Sequence, residues 1–293
     1  MRKERKKHEK KRGFILALGV VVGLAFILYP FLSQVYYDQV SSTAVDDFRA
    51  AVEAITPSAE LDEKLDLANA YNEALEPNLS WVDPYSEDER EEGIMTYAKM
   101  LELQEKIGVV NIPTIDVSLP VYAGTSERVL QEGVGHLEGT SLPVGGENTH
   151  SVLTAHRGLP EARLFTDLDK MEVGDLFFVE TMAGKLYYEV DQIIIVEPTE
   201  VDSVMIVEGE DHLTLLTCTP YMINSHRLLV RGKRVPNPPA EVVEELHKDE
   251  GKGFLYYLQT YWYYFVIIFV AIVTVGIMVK RQKKKPIVKM RVE

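Results

Sequence analysis

DHLTLLTCTPYMINSHRLLVRGKRV, residues 211–235, holds two β-rich runs, 211–218 and 226–235, on either side of a turn that begins Thr219-Pro220. Leu, Val and Thr dominate both runs, as a half-buried pleated surface favours. Pro220 cannot donate to a ladder, so pairing stops after Cys218 and the chain returns in a hairpin-like turn. The same texture continues upstream in 109–122, 151–156, 175–181 and 186–198, with a glycine-rich loop at 133–146 and one short helix expected at 161–171. Seven or eight short strands with no repeated helix between them predict an antiparallel barrel rather than a parallel sheet.

The first of those two runs closes on Cys218, the chain's only cysteine. One cysteine makes no internal disulfide, so the thiol is left available for chemistry. The attacking form is the thiolate, and a thiol with the ordinary pKa of about 8.5 is only a few per cent ionised at pH 7. A base is needed, and imidazole moves protons near neutrality. His156 follows the apolar run 151–155, whereas His226 adjoins Arg227 and points to the opposite strand face. His136, in the glycine-rich loop, is the rival base. An arginine would supply a permanent charge and several donors for an oxyanion. Arg227 and Arg231 share one strand face, so periodicity does not separate them. Arg227 lies nearer the turn that starts at Cys218, and Arg231 stays as a structural alternative.

TLLTC (214–218) with TPYMINSHRLLVRG (219–232) after it and SVLTAHRG (151–158) before it resembles the sortases, most closely their class C, pilin-assembling branch. The resemblance covers about 107–235, and a second element lies outside it: WVDPY, residues 81–85, is similar to the Asp-Pro-aromatic lid of class C enzymes. It implies a mostly β fold with accessory helices: a sortase-type eight-stranded β-barrel, N-terminal helices plus lid, and two flanking transmembrane helices. It also selects His156 over His136 and Arg227 over Arg231. The implied activity is a cysteine transpeptidase that cleaves an LPXTG-like sorting signal through a thioacyl-enzyme and joins pilin subunits to a lysine amine. Cys218 is then the nucleophile, His156 the proton carrier and Arg227 the oxyanion or substrate holder. Thr217 matches the motif as a substrate-positioning or oxyanion residue, and reads equally as an ordinary β-branched strand residue. Asp83, Pro84 and Tyr85 form an Asx-Pro turn on the plain reading. On the family reading Asp83 pairs with Arg227 while the Tyr85 ring covers Cys218.

Three other readings stand beside it. A housekeeping-type sortase attaching proteins to the cell wall is disfavoured by the lid motif and the second apolar span. A non-catalytic peptide-binding scaffold would keep its function without Cys218. A papain-like hydrolase is disfavoured by chain order, because its cysteine precedes its histidine.

Residues 13–32 and 262–279 are uncharged apolar runs near the length that crosses about 30 Å of hydrocarbon. The first could also be a signal peptide, but Tyr29-Pro30-Phe31 stands where small cleavage-site residues are expected. Residues 1–12 and 280–293 each carry +6, which places both ends in the cytoplasm. With the whole chain at −14, the segment between holds −26 and faces outward. That charge argues against nucleic acid, whose phosphates need a basic face. The acids at 87–92 read as a solvated run, with no ligand spacing for a metal, and no cofactor is expected. The expected order is a basic tail (1–12), a transmembrane helix (13–32), a helical region with lid (33–105), the catalytic barrel (106–238), a linker (239–261), a second transmembrane helix (262–279) and a basic tail (280–293). Within the helical region, Ala, Leu, Glu and Asp predict helices at 43–55, 61–75 and 93–104.

Overall fold

A computed structural model describes residues 2–55, 59–75, 85, 106–200, 202–238, 240, 243 and 262–284. The chain divides into two units, 36–250 and the pairing of 1–35 with 251–293.

The larger unit is built on eight strands: β1 Lys106–Ile112, β2 Val117–Ala123, β3 Val134–His136, β4 Thr149–Thr154, β5 Leu176–Thr181, β6 Gly184–Val196, β7 Asp211–Thr219 and β8 His226–Val235. They close into a barrel in the order β1-β2-β3-β4-β7-β8-β6-β5. Closure removes the unpaired edges that an open sheet would expose. Alternate residues fill the interior: Leu213 and Leu215 of β7, Leu228 and Val230 of β8, Phe177 and Val179 of β5, and Tyr188 of β6 belong to one buried cluster. Gly232 is required at this layer, because a Cβ there would run 2.5 Å from the Phe177 ring.

The expected all-antiparallel barrel needs a correction: β2 pairs with β3, and β4 with β7, in parallel. Parallel neighbours end at the same rim, so the C-terminal ends of β4 and β7 lie side by side, and β8 starts there. The glycine-rich loop also hides the three-residue strand β3. The helix expected at 161–171 is a single 3-10 turn, Leu168–Lys170. Leu164, in the left-handed region at φ 45°, interrupts any helix before it.

Helix α1, Arg2–Ile55, is continuous, so the separate helix expected at 43–55 is its last part. No glycine or proline lies between Phe31 and Ile55 to break it, and Pro30 is tolerated inside it. Helix α2 is Ala59–Ala74, and the helix expected at 93–104 lies outside the described residues. Both helices are fastened to the barrel. Val45 and Phe48 pack on Val109, and Arg49 meets Glu180 of β5 through Nε at 3.2 Å and Nη2 at 2.5 Å. The buried Asn72 amide donates to the Leu142 carbonyl at 3.1 Å, and its oxygen accepts from the Leu142 amide at 2.8 Å. A buried amide satisfied on both sides fixes the glycine-rich loop against α2. Between β2 and β3 lies the short helix α3, Glu127–Glu132, capped by the Ser126 hydroxyl.

In the smaller unit, the N-terminal part of α1 and helix α4, Trp262–Lys284, expose apolar side chains such as Phe26, Leu32, Phe269 and Ile272. The Phe31 and Tyr264 rings lie 6.0 Å apart. By length and composition α1 is long enough to cross a membrane. The described apolar part of α4, Trp262–Thr274, is shorter than a span, so among the described residues one helix, α1, has the length and composition of the two expected.

Candidate active site

Three strand ends place the candidate residues. Cys218, near the end of β7, is the register partner of Arg227 near the start of β8, so both side chains leave the same barrel face. Both residues are 4% exposed. Arg231 is four residues further along β8, opposite Thr214, and is engaged by Asp191 through Nε at 3.0 Å and Nη2 at 2.7 Å. The hairpin therefore separates the two arginines that periodicity could not. Arg227 Nη1 donates to the carbonyls of Asn224 and His226, each at 3.0 Å, which aims the guanidinium from within its own turn.

His156 stands two residues beyond β4, at the rim it shares with β7. Its Nε2 lies 3.5 Å from Oε1 of Glu127, the first residue of α3. The rival His136 is fully buried, with Nε2 on the Ser141 carbonyl at 2.9 Å, and burial depresses its pKa. It is a structural histidine of the barrel wall.

Tyr85 covers this group. Its ring centroid is 5.5 Å from that of His156 and 5.0 Å from the Arg227 guanidinium carbon, a cation-π distance. Its hydroxyl donates to the Ala155 carbonyl at 2.6 Å and lies 2.8 Å from the Thr154 hydroxyl. Burial, and next the neighbouring Cys218, push the phenol's pKa up. The ring packs on a small outer cluster that includes Leu137, Val152, Leu216 and Leu229. Asp83 and Pro84, and with them the expected pairing of Asp83 with Arg227, lie outside the described residues.

Thr217 is fully buried, and its hydroxyl donates to the Ala155 carbonyl at 2.7 Å. By strand alternation it shares a face with Leu213 and Leu215 rather than with Cys218. Sequence reasoning missed Glu127, which is remote in the chain and carries no motif. It also missed Arg157, whose guanidinium meets Thr219 and Asp169. The described residues contain no cluster suited to a metal ion.

A closed barrel that brings a lone thiol, a guanidinium in register with it and an imidazole to one rim defines a cysteine-centred site on a β-barrel scaffold. The sortase domain model matches residues 110–235. The structure of sortase C1 of GBS pilus island 1 is 54% identical, with a TM-score of 0.62 over 68% of this chain and 93% of that one. For sortase C-1 from Streptococcus pneumoniae the identity is 54% and the TM-score 0.64, over 67% of this chain and 100% of that one. Among curated proteins, Sortase D of Bacillus subtilis is 29% identical over 46% of this chain, and Sortase A of Bacillus anthracis 28%. The chain spans 66% and 62% of the lengths of those two. It belongs to the sortase family, and the solved structures it matches at about half identity are class C sortases.

Proposed function

We propose that the protein is a membrane-anchored cysteine transpeptidase that joins pilin subunits. The observation that carries the reading is the register pair Cys218–Arg227, with His156 at the same rim and Tyr85 over all of them. The family match and the pilus-related sortase C neighbours support a pilin as the substrate class.

In this reading the Cys218 thiolate attacks the Thr carbonyl of an LPXTG-like sorting signal. Arg227 stabilises the oxyanion that forms. The Thr-Gly C–N bond then breaks, and His156 gives its proton to the departing amine. A thioester on Cys218 remains. An uncharged pilin lysine amine attacks it, His156 takes up the amine's proton, and the sulfur leaves as thiolate, so the resting state is restored with an isopeptide bond formed. Tyr85, with Asp83 and Pro84, acts as a lid that substrate displaces. Residues 13–32 and 262–279 cross the membrane, with the tails 1–12 and 280–293 in the cytoplasm and the barrel outside. Substrates held in the same membrane would meet the site without free diffusion. The segments 33–105, 106–238 and 239–261 are then the lid-bearing helical region, the catalytic barrel and the linker.

The test is reconstitution of the full-length protein in nanodiscs with a pilin bearing an LPXTG signal, with fragmentation of the product by mass spectrometry. A Thr carbonyl bonded to a lysine side chain, lost with Cys218→Ala, is the expected product. Transfer to a cell-wall peptide amine instead would make it a housekeeping-type sortase. Peptide binding that survives Cys218→Ala, with no bond formed by the wild type, would make it a scaffold.

A further inference from the structure

The β4-β7 ladder runs in parallel from Thr149↔Asp211 to Thr154↔Leu216, a constant offset of 62 residues, and stops there. Continued by three steps, that register would set Ala155 opposite Thr217, His156 opposite Cys218 and Arg157 opposite Thr219. The first and third of these pairs are joined by side chains. The Thr217 hydroxyl donates to the Ala155 carbonyl at 2.7 Å, and Arg157 Nη1 donates to the Thr219 hydroxyl at 2.5 Å. Arg157 Nη2 is then held by Asp169 at 2.5 Å. The Ala155 amide still reaches the Leu216 carbonyl at 3.3 Å, and the His156 carbonyl accepts from the Phe165 amide at 3.1 Å.

We infer that Thr217, Arg157 and Thr219 are positioning residues: two side-chain bonds carry the β4-β7 register past the end of its ladder and hold His156 opposite Cys218 between them. The inference rests on Cys218 and His156 being the nucleophile and its proton partner. All three side chains are buried, with Thr217, Thr219 and Arg157 0%, 6% and 9% exposed, and the Ala155 carbonyl that Thr217 engages also accepts from the Tyr85 hydroxyl. What they control is the separation of the pair that they bracket.

A purely stabilising role fits less well. Arg157 is a buried guanidinium whose Nε has no partner among the described residues. Leaving a charged donor unsatisfied costs stability. An apolar side chain would close the same loop at less cost, but it could not grip a hydroxyl on one strand and a carboxylate on the 3-10 turn together. Thiol-imidazole coupling depends steeply on distance, and a displacement of about 1 Å in a reacting pair can reduce turnover by about a hundredfold.

The test uses the full-length protein in nanodiscs with Thr219→Val, Thr219→Ser, Arg157→Lys and Cys218→Ala. Three quantities are read: kcat and KM on an LPXTG peptide, the pH profile of Cys218 alkylation, and the melting temperature. Thr219→Val keeps the shape and removes the hydroxyl. It should lower kcat by about tenfold or more with KM nearly unchanged. It should also move the alkylation midpoint to higher pH, because a displaced imidazole no longer favours the thiolate. Thr219→Ser should restore both. Arg157→Lys, able to reach only one of its two partners, should behave like Thr219→Val. A wild-type pH profile and kcat in Thr219→Val would overturn the inference, as would a loss that Thr219→Ser fails to restore or that tracks the melting temperature alone. Turnover that persists in Cys218→Ala would instead overturn the functional reading beneath it.

Discussion

At the scale of single residues, the site is a set of side chains aimed by hydrogen bonds to the backbone and hydroxyl groups around them. Arg227 aims its guanidinium through two carbonyls of its own turn, and Tyr85 anchors its phenol on Thr154 and Ala155. The lid is thus held by a ring contact and by hydrogen bonds, and the two can be separated. Tyr85→Phe keeps the ring and loses the two hydroxyl bonds, each worth about 1 kcal/mol, so Cys218 should be alkylated up to roughly thirtyfold faster. Tyr85→Ala removes the cover altogether and should be faster still. Equal alkylation rates in the three proteins would show that Tyr85 does not guard the sulfur. Cys218 and Arg227 could be placed from the sequence because one hairpin brings them together. Glu127 and Arg157 could not, since the first arrives by α3 and the second acts through Thr219, 62 positions away.

At the scale of elements, the site depends on the segment after β4 more than on the strand itself. The sequence places this strand at 151–156, and the ladder instead occupies Thr149–Thr154. The reason is physical: beyond Thr154 most of the backbone pairing gives way to side-chain bonds, which an apolar pattern does not register. In contrast, β8 falls on 226–235 as read, because its alternation and its turn both lie in one short stretch. The loop after His156 is where the helix expectation fails, and its geometry demands a glycine. Gly158 has φ +92°, and a Cβ there would collide with the Thr166 hydroxyl. Gly174 has a similar φ of +99° with open space around it. Gly174→Ala therefore carries the backbone penalty alone, about 1 kcal/mol, while Gly158→Ala should destabilise by about 1–3 kcal/mol more and depress activity. Melting temperatures of the two variants measure the difference. Equal shifts would mean that the post-β4 loop relaxes freely and does not constrain His156.

At the scale of the whole molecule, the barrel's outer face carries a second polar group far along the strands from Cys218. His150 is 1% exposed, with Nδ1 2.9 Å from the Met205 carbonyl and Nε2 2.7 Å from the Thr214 hydroxyl. Its ring centroid is 5.5 Å from that of His212, and Arg231 and Asp191 lie beside the pair. Burial chiefly, with His212 and Arg231 adding to it, lowers the His150 pKa to about 4. The unfolded chain, with an ordinary histidine pKa of about 6.5, binds this proton first as pH falls. Stability should therefore be full above pH 6.5 and decline between about 6.5 and 4, by about 3 kcal/mol from this group. His212, also lowered by burial, acts in the same direction. Urea unfolding at pH 7 and pH 5 tests the sign, and His150→Gln should flatten the difference. A wild-type protein equally stable at both values would contradict the buried neutral histidine.

The barrel could be foreseen from strand texture, and one membrane-length helix from composition. The parallel pairs could not, because nothing local in β3 or β4 encodes a distant partner's direction. The β4-β7 pair is nevertheless what sets the ends of those two strands side by side, at the rim where His156 and Cys218 stand. The most direct test of the account is intact-mass spectrometry of the full-length protein quenched within seconds of mixing with an LPXTG-bearing pilin, without an acceptor amine. A mass increase equal to the pilin up to its Thr, mapped to Cys218, reversed by hydroxylamine and absent in Cys218→Ala, is the predicted result. An unmodified Cys218 while the signal is cleaved, or an adduct on another residue, would contradict it.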